Sequence, residues 1–130
     1  MSSIFTKIIN GEIPSYKIFE DEYTFVFLDI NPIQVGHALV VPKIEVDYFI
    51  DVPEPYYTAV FRTAKVVSKA IQEATNCTRV GTIIAGFDVA HFHYHLIPLH
   101  DMSDFNFSKA KARTEDEMLE MQEKIKSFLS

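Results

Sequence analysis

Three of the chain's five histidines, His91, His93 and His95, alternate with Phe92, Tyr94 and Leu96 in the run His91–Pro98. Alternation of this kind predicts a β-strand in which residues two apart share a face. At a rise of roughly 3.3 Å per residue, neighbouring imidazoles would sit about 6–7 Å apart along that face. Phe92, Tyr94 and Leu96 would then point into the body of the protein. Imidazole gives and takes protons near neutral pH, so the row could hold a nucleophile, an acid and a hydrogen-bond donor side by side. A lone strand histidine is more often structural, and a histidine pair at this spacing can also bind zinc with help from elsewhere. Metal site and nucleophile therefore stand as rival readings of the row.

The bulk properties narrow the setting. A chain of 130 residues, 48% hydrophobic and 23% charged, suits one domain over 1–130 with a real core. A formal net charge of −6 provides no global basic field for nucleic acid, so an anionic substrate must be held by local donors. Cys77 is the single cysteine, which excludes an intrachain disulfide and a thiolate cluster. The residues from Met1 to Lys7 lack a signal-peptide core, and no apolar run nears the roughly 20 residues that span a bilayer. A cytoplasmic protein without membrane contact is the expectation.

The elements that must position the histidines read in order. Ile4–Ile9 is a short apolar segment of one or two helical turns, ended by Asn10-Gly11. Tyr16–Phe19 and Thr24–Asp29 are predicted strands joined by an acidic turn, and Asn31-Pro32 breaks the second. Gly36–Lys43 is a third, carrying His37 at its start. Asp51 and Glu54 have capping-box spacing ahead of a helix whose Tyr57, Val60, Ala64, Val67, Ile71 and Ala74 form one apolar stripe. Asn76 suits a left-handed stop. Arg79–Ile84 is a fourth strand, turning through Ala85–Asp88 into the histidine strand. Residues 101–113 read as loop, with Lys109, Lys111 and Arg113 a solvated face or a phosphate contact. Thr114 with Glu117 caps a last helix bearing Met118, Met121, Ile125 and Phe128 on one face, for the domain or for a partner. Together these predict an α+β fold, a five-stranded, mostly antiparallel sheet with one long helix and a C-terminal helix.

The triad, with Gly36-His37 and Leu39–Lys43 before it, resembles the histidine triad (HIT) superfamily, in its small nucleotide-binding branch or bacterial relatives. The likeness runs from Ile4–Ile8 through Gly11–Pro14 and Phe27–Ile30 to Pro98. It implies a homodimeric nucleotide hydrolase or transferase, adenosine 5′-monophosphoramidase-like, that cleaves at the α-phosphate of purine nucleotide derivatives. By the resemblance His93 is the nucleophile that carries a transient nucleotidyl group, and His95 donates to phosphate or leaving group. His37 would orient His95, and His91 would tie the strand to neighbouring backbone. Asp29 would accept from the ribose hydroxyls, with Ile4, Phe5, Ile8, Phe27, Ile30 and Leu39 around the base.

Three departures accompany the likeness. Many bacterial relatives hold a structural zinc with a Cys-x-x-Cys pair and a histidine; here those positions read Ser3, Thr6 and Glu45, so no metal and no cofactor are expected. Gly86-Phe87-Asp88 replaces the usual glutamine and serine before the triad, placing a carboxylate where phosphate must come. Residues 99–113 differ from the short glycine-rich tail of the nucleotide-binding branch. The alternatives to an enzyme are a purine nucleotide-binding or partner-binding protein with vestigial activity, and a histidine metalloprotein.

Overall fold

The computed structural model describes residues 2–129. Short helix α1 (Ile4–Ile9) starts on Ser3, whose side chain accepts from the Thr6 amide, as an N-cap serine should. Strands β1 (Lys17–Glu20), β2 (Thr24–Leu28) and β3 (Ala38–Pro42) follow, then long helix α2 (Tyr56–Thr75). After it come β4 (Arg79–Ile83), β5 (Tyr94–Leu99) and helix α3 (Glu115–Ser127). The five strands form one sheet in the order β1-β2-β3-β5-β4, and every pairing is antiparallel. This is the expected α+β architecture. Among the described residues, no helix is long and apolar enough to cross a membrane.

Strand alternation divides the sheet into two working faces. Val26, Leu28, Ala38, Val40 and Leu96 face α2, meeting Val60, Ala64, Val67, Ile71 and Ala74 from its stripe. Met118 and Ile125 bring α3 into the same core. Tyr57 and Phe128 lie off that core, 37% and 45% exposed, so the two predicted stripes are shorter than their spacing implied. The opposite face carries Phe25, Phe27, Leu39 and Val41, covered by Phe5 and Ile8 of α1. Register places Leu39 against His95, so the triad's last histidine belongs to this second face.

Two local expectations are corrected. The Asp51/Glu54 capping box does not form, because Phe49–Asp51 closes a 3-10 turn and α2 begins only at Tyr56, with Pro55 at its N-cap. Proline offers no side-chain acceptor, and the Glu54 carboxylate instead takes the Thr58 amide at 2.9 Å. Asn76 does end α2, at φ 58°, and the Thr114/Glu117 box forms as expected. The histidine strand begins at Tyr94, not His91. His91 donates its amide to Val89 O and Phe92 to Val46 O, so this stretch is tied to the chain before α2 and not to a sheet neighbour. Residues 101–113 contain two 3-10 turns, Met102–Asp104 and Phe107–Lys109, where only loop was expected.

Candidate active site

All four histidines of the predicted site are buried, between 0% and 4% exposed. A buried imidazole must satisfy its polar atoms, and the hydrogen-bond partners around each ring assign its tautomer. His93 Nδ1 lies 2.7 Å from His91 O; a carbonyl only accepts, so Nδ1 carries the proton and Nε2 the lone pair. His93 Nε2 is itself buried and has no hydrogen-bond partner.

The same logic runs through the second pair. The Ile33 amide donates to His37 Nδ1 at 3.1 Å, which puts the His37 proton on Nε2. That Nε2–H donates to His95 Nδ1 at 2.9 Å, leaving His95 with its proton on Nε2. The rings of His93 and His95 lie 5.1 Å apart, closer than the spacing of an ideal strand, because His93 precedes β5. A lone pair and an N–H donor therefore stand side by side. Burial, with His95 nearby, lowers the His37 pKa to about 3. Burial and His93 lower that of His95 to about 4, against a small opposing pull from Asp88. Phe107 covers both rings, its centroid 5.3 Å from His95 and 6.4 Å from His37. No local sequence signal marks that contact, since it joins the residues after β5 to the start of β3.

His91 works at the other end of the row. Its Nε2–H donates to Pro42 O at 2.9 Å, fastening the triad to the end of β3. Its Nδ1 accordingly accepts, and the Ser3 hydroxyl lies 2.8 Å away. Ser3 N and the Thr6 hydroxyl both donate to Glu45 Oε1, at 2.6 and 2.7 Å. The three residues at the zinc-ligand positions thus meet beside His91 in one hydrogen-bonded cluster. Two neutral hydroxyls replace thiolates there, and the imidazole nitrogen that would face a metal is occupied by Ser3. This donor set does not fit a structural zinc. Asp29, His37 and His95 also come together, with ligand atoms within 4.8 Å of one another. There too the two imidazole nitrogens that could face a cation are hydrogen-bonded to each other.

Beside the triad opens a cavity of about 250 Å³, lined by Ile4, Phe5, Ile8, Phe27, Asp29, Ile30 and Leu39. Every residue expected around a nucleoside is in that wall. Ile13, Pro14, Ser15, Leu28, Asp88 and Val89 also line it, and nothing in the local sequence gave Val89 a place there. Ile4 and Ile30, 49% and 63% exposed, form its rim. Asp29 follows β2, where its Oδ1 accepts from the Asn31 amide at 2.9 Å and its Oδ2 lies 3.7 Å from His37 Nε2. Burial pushes its pKa up, against the Asn31 hydrogen bond. A second cavity, about 140 Å³, opens on His93, Phe92, Gly86, Asp47, Tyr48 and Phe49. Asp88 stands at 3.6 Å from His93 Nε2, so its carboxylate neither turns away nor finds a lysine or arginine partner among the described residues.

Comparison with known proteins identifies the family and the fold. The chain is 42% identical over 99 residues to an adenosine 5′-monophosphoramidase of Saccharomyces cerevisiae, an alignment covering 75% of this chain and 63% of that one. A HIT-like protein from Bartonella henselae has the same fold, with a TM-score of 0.86 at 26% identity over 98% of this chain and 97% of that one. A zinc-bound histidine triad family protein from Mycobacterium smegmatis superposes equally well, with a TM-score of 0.86 at 26% identity over 99% and 94% of the two chains. The HIT domain profile matches residues 10–102, which contain the whole triad, His37 and Asp29. The chain belongs to the HIT family.

Proposed function

We propose that this protein hydrolyses purine nucleoside 5′-monophosphate derivatives at the α-phosphorus, with adenosine 5′-monophosphoramidates the favoured class. The observation that carries the reading is His93 Nε2: buried, without a hydrogen-bond partner, and left with the lone pair by the Nδ1–H bond to His91 O, on a ring that lines the smaller cavity. Likeness to the yeast adenosine 5′-monophosphoramidase supports the substrate class.

The base and ribose occupy the larger cavity, with apolar walls around the base and Asp29 accepting from the sugar hydroxyls. His93 Nε2 attacks phosphorus in line; the Nε2–P bond forms as the bond to the leaving atom breaks, and the electron pair departs with that atom. His91 O holds the Nδ1 proton and takes up the charge that develops on the ring. His95 points Nε2–H at the leaving atom, held there by His37. The bound phosphate anion lets His95 take a second proton, at Nδ1, where the hydrogen bond from His37 gives way, and burial makes this charged form a strong acid. Its Nε2 proton goes to the leaving group. Water then attacks the nucleotidyl-His93, gives a proton back to His95, and releases AMP. No metal enters either step.

The protein works in this reading as a single domain and as a homodimer. Strand β4 is a sheet edge, and on its side of α2 the exposed Tyr57 packs on Phe61, which packs on Tyr94. A nucleotide-binding or partner-binding protein with vestigial turnover is the second reading, favoured by one observation: Asp88 stands where phosphate must dock. Incubation with adenosine 5′-monophosphoramidate separates the two. Steady AMP release that is lost in His93→Ala supports the enzyme; release at the same rate from parent and variant would refute it.

A further inference from the structure

The carboxylate of Asp88 is the feature that this mechanism leaves unused. It is 74% exposed at the side chain, yet its Oδ1 lies 3.6 Å from the buried, unpartnered His93 Nε2, beside the line of attack. The nucleoside cavity carries Asp29 and Asp88, and the smaller cavity, which His93 lines, carries Asp47 with the exposed ring of Tyr48. Among the described residues, neither cavity is lined by a lysine or an arginine. A nucleotide's α-phosphate is anionic, and a diphosphate or carboxylate leaving group would add further negative charge against these acids with no countercharge.

We propose that Asp88 selects the leaving group, so that the site cleaves P–N bonds to amines bearing a positive charge and rejects anionic leaving groups. The inference rests on the hydrolase reading above. The chemistry suits a carboxylate. A phosphoramidate nitrogen carries an N–H, which can donate to Asp88; the bridging oxygen of a phosphoanhydride has no proton to donate. As the Nε2–P bond forms, the nitrogen takes the P–N electron pair and one proton through His95. It takes a second proton from solvent and departs as an ammonium ion, which two carboxylates attract. The smaller cavity, about 140 Å³ with Tyr48 and Phe49 in its wall, has room for an alkylammonium stem against an aromatic face. An acyl or polyphosphate tail would meet Asp47 there.

The test uses three adenosine 5′-monophosphate derivatives that differ only beyond phosphorus: an amide of a diamine with a free distal ammonium, an amide of an amino acid joined through its nitrogen with a free carboxylate, and diadenosine tetraphosphate. For the parent protein, kcat/KM for the ammonium amide should exceed that for the carboxylate amide by about tenfold or more. Asp88→Asn should shrink that ratio severalfold and raise turnover of the tetraphosphate. Binding gives a readout free of turnover: Asp88→Asn should bind AMP about tenfold more tightly than the parent does, with adenosine affinity unchanged. Because Asp88 is exposed, the variant keeps the fold, and adenosine binding confirms an intact pocket. Equal ratios in parent and variant, or AMP affinity unmoved by the substitution, would overturn the proposal while leaving the hydrolase reading intact. A parent protein that cleaves none of the three would overturn both.

Discussion

Acid should weaken this protein early, and His37 with His95 should be the cause. Both rings are buried, and their pKa values fall from an ordinary 6.5 to about 3 and about 4. The unfolded chain therefore binds protons that the folded chain refuses. Stability is complete above about pH 6.5 and declines as pH falls towards the two folded values. Each refused proton contributes a slope of about 1.4 kcal/mol per pH unit, so the pair approaches about 2.7 kcal/mol per unit near pH 5. His91, lowered by burial against opposing help from the Pro42 carbonyl and Glu45, adds in the same direction. Hydrogen-bonded carboxylates such as Glu117 and Asp104 act with the same sign at lower pH, and Asp29, whose pKa burial raises, opposes them. The range from about pH 6.5 to about 4.5 thus reports mainly on histidine. Urea denaturation followed by circular dichroism at stepped pH measures the slope directly. His37→Gln removes one titrating ring and should flatten the slope by roughly one proton's worth, whatever its effect on stability at neutral pH. A parent whose stability is level across that window, or a variant as steep as the parent, would refute the assignment of buried neutral imidazoles.

Three further outcomes follow from the geometry. Asp29→Ala should weaken ribonucleotide binding by on the order of 1.5–3 kcal/mol and erase the preference over 2′-deoxy analogues; an unchanged ribose-to-deoxyribose ratio by calorimetry would mean that Asp29 does not hold the sugar. Purified protein should contain no stoichiometric zinc and should keep its turnover in chelator, because Ser3, Thr6 and Glu45 fasten α1 to His91 by hydrogen bonds; one tightly bound zinc per chain, with activity lost on its removal, would contradict this. Gly36→Ala should cost on the order of 1–3 kcal/mol in urea denaturation, since φ is +109° and a Cβ would come within 3.0 Å of Thr75 Cγ2.

The legible parts of the site were those written in local pattern. Alternation at His91–Leu96 pointed to the second face of the sheet, and the apolar stripe of α2 pointed to the first. The resemblance marked Phe27 and Asp29 in one segment and Leu39 in another, which the antiparallel register of β2 and β3 brings into one cavity. What stayed hidden depends on contacts between distant segments. Strand alternation extended the triad to His91, but Val46 draws Phe92 away before the ladder begins. Phe107 covers His95 from a stretch whose polar composition read as loop. Glu54 looked like half of a capping box, yet it caps α2 from outside because Pro55 occupies the N-cap. The cluster of Ser3, Thr6, Glu45 and His91 was visible only as missing zinc ligands; that these residues hydrogen-bond together required the fold.

The central claim is that His93 attacks phosphorus, and the most direct measurement is of the bond it would form. Rapid quenching of the parent protein during turnover of adenosine 5′-monophosphoramidate, followed by peptide mass spectrometry, should find an AMP adduct on the peptide containing His91–His95. The adduct should appear and decay within one turnover. It should be absent from His93→Ala, which should still bind AMP with affinity near the parent's while its turnover falls by several powers of ten. Substantial turnover by His93→Ala, or turnover by the parent with no adduct at any quench time, would contradict the account and leave direct attack by water as the route.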